Sequence, residues 1–185
     1  MPETSVRVGK QRSPVNGNFE TLISRIQSPG LQAVARFWHE ARGNKQMPSW
    51  ADIASLSLVP YSKLLWSYHY DPETGEFTGR SAAAKVSKWV GGNFCDRRLQ
   101  ELIPPSTYRE AHRYLTKLVT TPLAWRTSGR LFTVGDLAIT GERIALPLAA
   151  DGKTGDGVLG ASDYVSPPLL GPFEIVHENL EWYSI

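Results

Sequence analysis

The stretches LAWRTSGRLFT (residues 123–133), LAITGERIALPL (137–148) and VLGASDYV (158–165) are three strand-like runs in a row. Turn residues part them, Gly135-Asp136 after the first and Asp151-Gly152-Lys153 through Gly157 after the second. Within the middle run Ile144, Leu146 and Leu148 recur at every second position, the period of a strand. No repeated strand-helix-strand crossover surrounds these runs, so an antiparallel sheet with helices on one face is expected, an α+β domain.

Upstream, Thr107 and Glu110 have the spacing of a capping box. Tyr108, His112, Leu115 and Val119 then line one face of a predicted helix that Pro122 closes. Earlier still, residues 64–70 read as a strand ending at the turn 71–75, and 76–81 as its hairpin partner. From Ala82 the composition favours helix until Gly91-Gly92. Phe19, Leu22, Ile23 and Ile26 give one amphipathic helix, and Leu31, Val34, Ala35 and Trp38 a second that Gly43-Asn44 stops. Residues 48–60 read as irregular or one short turn. Downstream, Phe173, Ile175, Val176, Leu180 and Trp182 are too apolar for a free linker and are expected to fold back on the body. The expected organisation is a flexible arm (1–18), N-terminal helices (19–45), a body (46–165) and a packed tail (166–185).

The 185 residues carry 20 basic and 18 acidic side chains, a net charge of +2, scattered through the chain. Such a distribution lacks the dense basic face that nucleic acid binding requires. No apolar run is long enough to span a bilayer, and Arg7, Lys10 and Arg12 sit in a polar start without an export signal, so a cytoplasmic protein with no membrane contact is expected. Cys95 stands alone and can form no internal disulfide. His39, His69, His112 and His177 show no two-ligand spacing, so no metal is expected.

The element order resembles that of a PAS domain. Pro122-Leu123-Ala124-Trp125-Arg126, residues 142–152 and Leu159-Gly160-Ala161-Ser162-Asp163-Tyr164, with Leu99-Gln100-Glu101-Leu102 upstream, resemble a family of bacterial stand-alone PAS-like proteins. The likeness runs from about residue 31 to 165 and departs from the family pattern around 79–92. It implies a PAS-like five-stranded antiparallel sheet cupping a small cavity, here with an N-terminal helical extension, used for ligand sensing or protein contact.

Three motifs are weighed against plainer readings. Residues 92–100, with Cys95, resemble the flavin-binding motif of light-sensing PAS domains, but Phe94 displaces the thiol and no amide between Gln100 and Asn179 is placed to read the flavin edge. Cys95 is then expected to be half-buried, acting as a small hydrophobe. Gly155-Asp156-Gly157-Val158-Leu159-Gly160 matches a dinucleotide fingerprint in letters, yet precedes a strand and reads as a hairpin turn. His112 is the one candidate axial haem ligand, and with Asp136 or Asp163 it would be the base of an alternative isomerase or hydrolase.

The favoured expectation is a non-catalytic sensor or adaptor without a cofactor, binding a small ligand or a signalling partner. Its cavity is expected between the helix 107–121 and the sheet: Tyr108, His112 and Leu115 from the helix, Trp125 and Leu146 from strands, Trp89 and Phe94 at the mouth. Arg126 either supplies charge for an acidic ligand or points to solvent. A filled core is the competing reading. A homodimer is expected through the apolar faces of 19–26 and 31–38.

Overall fold

The computed structural model describes residues 15–55, 58–165 and 172–185. In chain order these form β1 (Gly17–Asn18), α1 (Phe19–Arg25), α2 (Pro29–Arg42), α3 (Trp50–Ser55), a 3-10 turn (Val59–Tyr61), β2 (Leu65–Asp71) and β3 (Glu76–Ala82). There follow α4 (Ala84–Trp89), α5 (Leu99–Leu102), α6 (Pro105–Thr120), β4 (Leu123–Val134), β5 (Leu137–Leu148), β6 (Gly157–Tyr164), β7 (Phe173–Ile175) and β8 (Asn179–Ser184). The fold is α+β: one open, mixed sheet runs β1-β8-β4-β5-β6-β2-β3, with β7 also beside β4. All pairings are antiparallel except that of β1 with β8.

Local chemistry explains the helix boundaries. At the start of α2 the Ser28 hydroxyl accepts the Leu31 amide hydrogen and Pro29 occupies the first turn, so this proline opens a helix rather than merely ending α1. Gly43, at φ +51°, ends α2. The expected capping box of α6 does not form. Pro104 and Pro105 start the helix two residues earlier, Thr107 Oγ1 donates to the Pro104 carbonyl, and Glu110 accepts from the Tyr114 hydroxyl. The buried residues of α6 are Ala111, Leu115, Leu118 and Val119; Tyr108 packs half-buried at the edge of the same core, and His112 beside Phe77. Within residues 48–60, expected to be irregular or one short turn, α3 is a six-residue helix.

Helices cover both faces of the sheet, not one. On one face, Leu22, Ile23, Leu31, Val34 and Trp38 of α1 and α2, with Ile53 of α3, meet Ala124, Ile144, Leu146, Leu148, Leu159 and Tyr183. On the other, α5 and α6 pack on Trp66, Tyr68, Trp125, Ala145, Val158 and Trp182. The reason is visible in β5, which is buried at every position from Glu142 to Leu148 and so needs cover on both sides. The apolar stripes 19–26 and 31–38, expected as a homodimer contact, are therefore occupied by the chain's own sheet.

The sheet also recruits both ends of the described chain. Gly17 and Asn18, expected in a flexible arm, pair with Tyr183 and Ser184, whereas Arg7, Lys10 and Arg12 lie outside the described residues. The C-terminal segment, expected to fold back on the body, does so from Phe173 as β7 and β8 against β4.

Candidate functional site

On the α5–α6 face, neighbouring strands pair Arg143 with Ser162 and Ala145 with Gly160. The last pair is small, and the Trp66 ring lies over it so closely that a Cβ on Gly160 would come within 2.1 Å of the indole. Larger side chains stand around this shallow centre and leave a cavity of about 80 Å³. Its wall includes Trp66, Tyr68, Val86, Phe94, Leu115 and Phe132, with polar atoms from Arg143, Ser162, Tyr164 and His177. A mostly apolar hollow with a few convergent polar groups is the usual character of a small-molecule site.

Of the eight residues chosen from the sequence, Trp89, Phe94, Leu115 and Trp125 line this cavity. Tyr108 and His112 do not. His112 Nε2 lies 2.9 Å from the Gly75 carbonyl, its ring edge-on to Phe77, so the α6 face that holds both residues serves the β2–β3 hairpin. Leu146 lies in the opposite core, because Trp125 is opposed to Ala145 and adjacent strand residues point to opposite faces. Arg126 also faces that side, bound to Glu142 and, at 2.8 Å, to Glu181. It is neither a cavity group nor a solvent one.

The enzyme alternative needed His112 beside Asp136 or Asp163. Asp163 Oδ2 instead accepts from the Ser28 hydroxyl at 2.6 Å on the α1–α2 side, and Asp136 is exposed in the β4–β5 turn. Cys95 is exposed, contrary to the half-buried expectation; its Sγ donates to the Arg80 carbonyl and is not part of the cavity wall. The glycine run 155–160 forms the turn and first half of β6. Among the described residues no His, Cys, Asp and Glu cluster of three could hold a metal, and no helix is long and apolar enough to cross a membrane.

The sequence reading missed Arg143, Ser162, Tyr164 and His177. Arg143 is 5% exposed. Its Nε donates to Ser162 Oγ at 3.2 Å, and its guanidinium carbon sits 4.6 Å from the Phe132 ring centroid. Ser162 Oγ also accepts from Trp66 Nε1 at 2.9 Å. Burial lowers the Arg143 pKa to about 10, with Tyr164 and Tyr68 opposing that shift, so the side chain is a cation at neutral pH. Burial raises the Tyr68 and Tyr164 pKa values, keeping both phenols protonated. Two buried polar atoms of cavity-lining residues, Trp125 Nε1 and His177 Nδ1, have no hydrogen-bond partner, whereas the Trp89 indole N–H is directed at the Tyr164 oxygen. Native interiors leave few such groups, and each needs an explanation.

No family model, no curated protein and no solved structure matches this chain.

His177, edge-on to Tyr114 and Trp125, yields the first prediction. Burial, reinforced by the Arg143 charge, lowers its pKa from 6.5 to about 3. The unfolded chain therefore takes up this proton first, so stability is full above about pH 6.5 and falls as the pH drops toward the folded value. Urea unfolding at pH 7 and pH 5.5 should show a loss of about 1 kcal/mol that His177→Gln abolishes; an equal loss in the variant would assign it elsewhere.

Proposed function

We propose that this protein is a non-catalytic, cytoplasmic sensor or adaptor module of the PAS type, holding a small ligand in the cavity between α5–α6 and the sheet. The observation that carries this reading is the conjunction of hollow and unpartnered polar groups: a cavity of about 80 Å³ lined by Trp125 and His177, whose indole N–H and imidazole Nδ1 have no partner, and by Arg143, which among the described residues has no ion pair. A filled core gives no reason for unsatisfied polar groups of this kind around one hollow. The PAS comparison is supported by the five neighbouring antiparallel strands β3-β2-β6-β5-β4, with α4, α5 and α6 inserted between the first hairpin and the last three strands.

A route for the signal leads to the N-terminal helices. Adjacent to the cavity pair Arg143 and Ser162 is the pair Glu142 and Asp163, whose side chains point to the other face. There Glu142 accepts the Gln27 and Ser28 amide hydrogens at 3.0 and 2.8 Å, and Asp163 accepts the Ser28 hydroxyl. A shift of β5 against β6 on ligand binding would move the α1–α2 elbow through these bonds, a coupling of the kind a sensor requires. A signalling partner or second copy would read that elbow; a second copy would need a surface other than the stripes 19–26 and 31–38.

Leu115→Trp tests the reading. Leu115 is 5% exposed and forms part of the cavity wall, so a larger side chain should fill the hollow at little cost and abolish uptake of small aromatic probes. Denaturant unfolding together with probe titration checks this. A loss of about 1–3 kcal/mol, the usual penalty for overpacking a full core, in a protein that binds no probe would overturn the proposal.

A further inference from the structure

We infer that the ligand of this cavity is a small amphipathic anion, an aromatic or alkyl carboxylate whose head group pairs with Arg143. The inference rests on the cavity being a ligand site and adds the chemical class. Its basis is a buried cation without an anion. Among the described residues Arg143 has no ion pair, and its only hydrogen bond runs from Nε to Ser162 Oγ. Among those residues neither terminal amino group of the guanidinium has an acceptor.

The nearby carboxylates are committed to the other face. Glu142, the residue before Arg143, is bound to Arg126 and to the Gln27 and Ser28 amides, and Asp163, the residue after Ser162, to the Ser28 hydroxyl. Strand alternation keeps both out of the cavity. The two arginines thus differ in kind. Arg126 is matched by Glu142 and Glu181, as a structural buried charge is, whereas Arg143 has only the face of Phe132 and a serine oxygen. Arginine does not escape by neutralising at physiological pH. Its planar fork suits two parallel hydrogen bonds to one carboxylate.

The remaining wall is selective in the same direction. Trp125 Nε1 can only donate and has no partner, and the Tyr164 oxygen, which receives the Trp89 indole N–H, keeps its own hydrogen to donate, so both suit an acceptor-rich head group. The lining also includes Val86, Val90, Leu99, Ala111 and Leu115, which match a short hydrocarbon body. A phosphate or dicarboxylate would place further charge against these apolar walls, where it has no partner.

Calorimetric titration with matched acid and amide probes tests this: phenylacetate against phenylacetamide, benzoate against benzamide, hexanoate against hexanamide. In the unaltered protein at least one acid should bind about tenfold or more tightly than its amide, the margin expected of a desolvated charge-assisted pair. Arg143→Met should erase that preference, and Arg143→Lys, which keeps the charge but not the fork, should retain part of it. Arg143→Met should also unfold at the same or a higher temperature, because it removes an unpaired buried charge; a lower midpoint would mark the arginine as structural and overturn the inference. Amides that bind as well as their acids would overturn the anion while leaving the cavity a ligand site. Binding by neither member of any pair, at millimolar concentration, would overturn the cavity reading and this inference with it.

Discussion

Replacing Trp38 by Ala should destabilise the protein by about 3–5 kcal/mol, the range for removing a large aromatic side chain from a closed core. Trp38 is fully buried between α2 and the sheet, its ring centroid 4.9 Å from that of Phe19, and its Nε1 donates to the Pro147 carbonyl at 2.8 Å. Trp38→Phe keeps most of the packing but leaves that carbonyl unpaired, so it should cost about 1–3 kcal/mol. Denaturant unfolding of the three proteins gives the order directly. The midpoint should not depend on protein concentration, as it would if α1 and α2 were held by a second copy. A loss below about 1 kcal/mol for Trp38→Ala would mean that α2 is not docked as described.

Glu142→Ala should cost a similar amount, about 3–5 kcal/mol, for an electrostatic reason. The carboxylate is 6% exposed, bonds the Arg126 Nε and receives the Gln27 and Ser28 amides. Its removal leaves Arg126 with Glu181 alone and orphans two backbone donors at the α1–α2 elbow. Glu142→Gln, which retains an acceptor oxygen, should lose less. Amide hydrogen exchange adds a local readout: Gln27 and Ser28 should exchange much faster in Glu142→Ala while the α6 amides change only with global stability. Unchanged exchange at the elbow would contradict the role given to this carboxylate.

Much of the strand framework was legible because period and punctuation agreed. The turn at Gly135-Asp136 and the alternation of Ile144, Leu146 and Leu148 located β4, β5 and β6 to within a residue or two of their ends. Face assignment was harder. Grouping Leu146 with Trp125 needed the register of β4 on β5, and a one-residue difference there exchanges the two sides of the sheet. With Trp125 opposed to Ala145, the cavity side of β5 is Arg143 and Ala145, so the same step that misplaced Leu146 hid Arg143.

Other residues left weaker marks. Phe132 reaches the cavity because β4 has a bulge between Arg130 and Phe132, which no pattern of apolar residues announces. His177 lies between β7 and β8, in a segment read only as packed on the body. One signal was available: Arg143 directly precedes the apolar run Ile144 to Leu148 and shares a strand face with Ala145 and Pro147, where a charge is costly unless it has a partner. The cover on both faces was visible too, since Ala145 and Pro147 fill the alternate positions that a one-sided strand would make polar.

The most direct measurement is an amide and indole proton–nitrogen NMR titration of the protein with phenylacetate. The account predicts saturable shifts of the indole N–H signals of Trp125, whose nitrogen lacks a partner, and of Trp89, whose N–H is directed at the cavity-lining Tyr164, accompanied by shifts of the Gln27 and Ser28 amides across the sheet. Indole signals of Trp89 and Trp125 that stay fixed throughout the titration, or move only in step with the exposed amides of the β4–β5 turn, would contradict it.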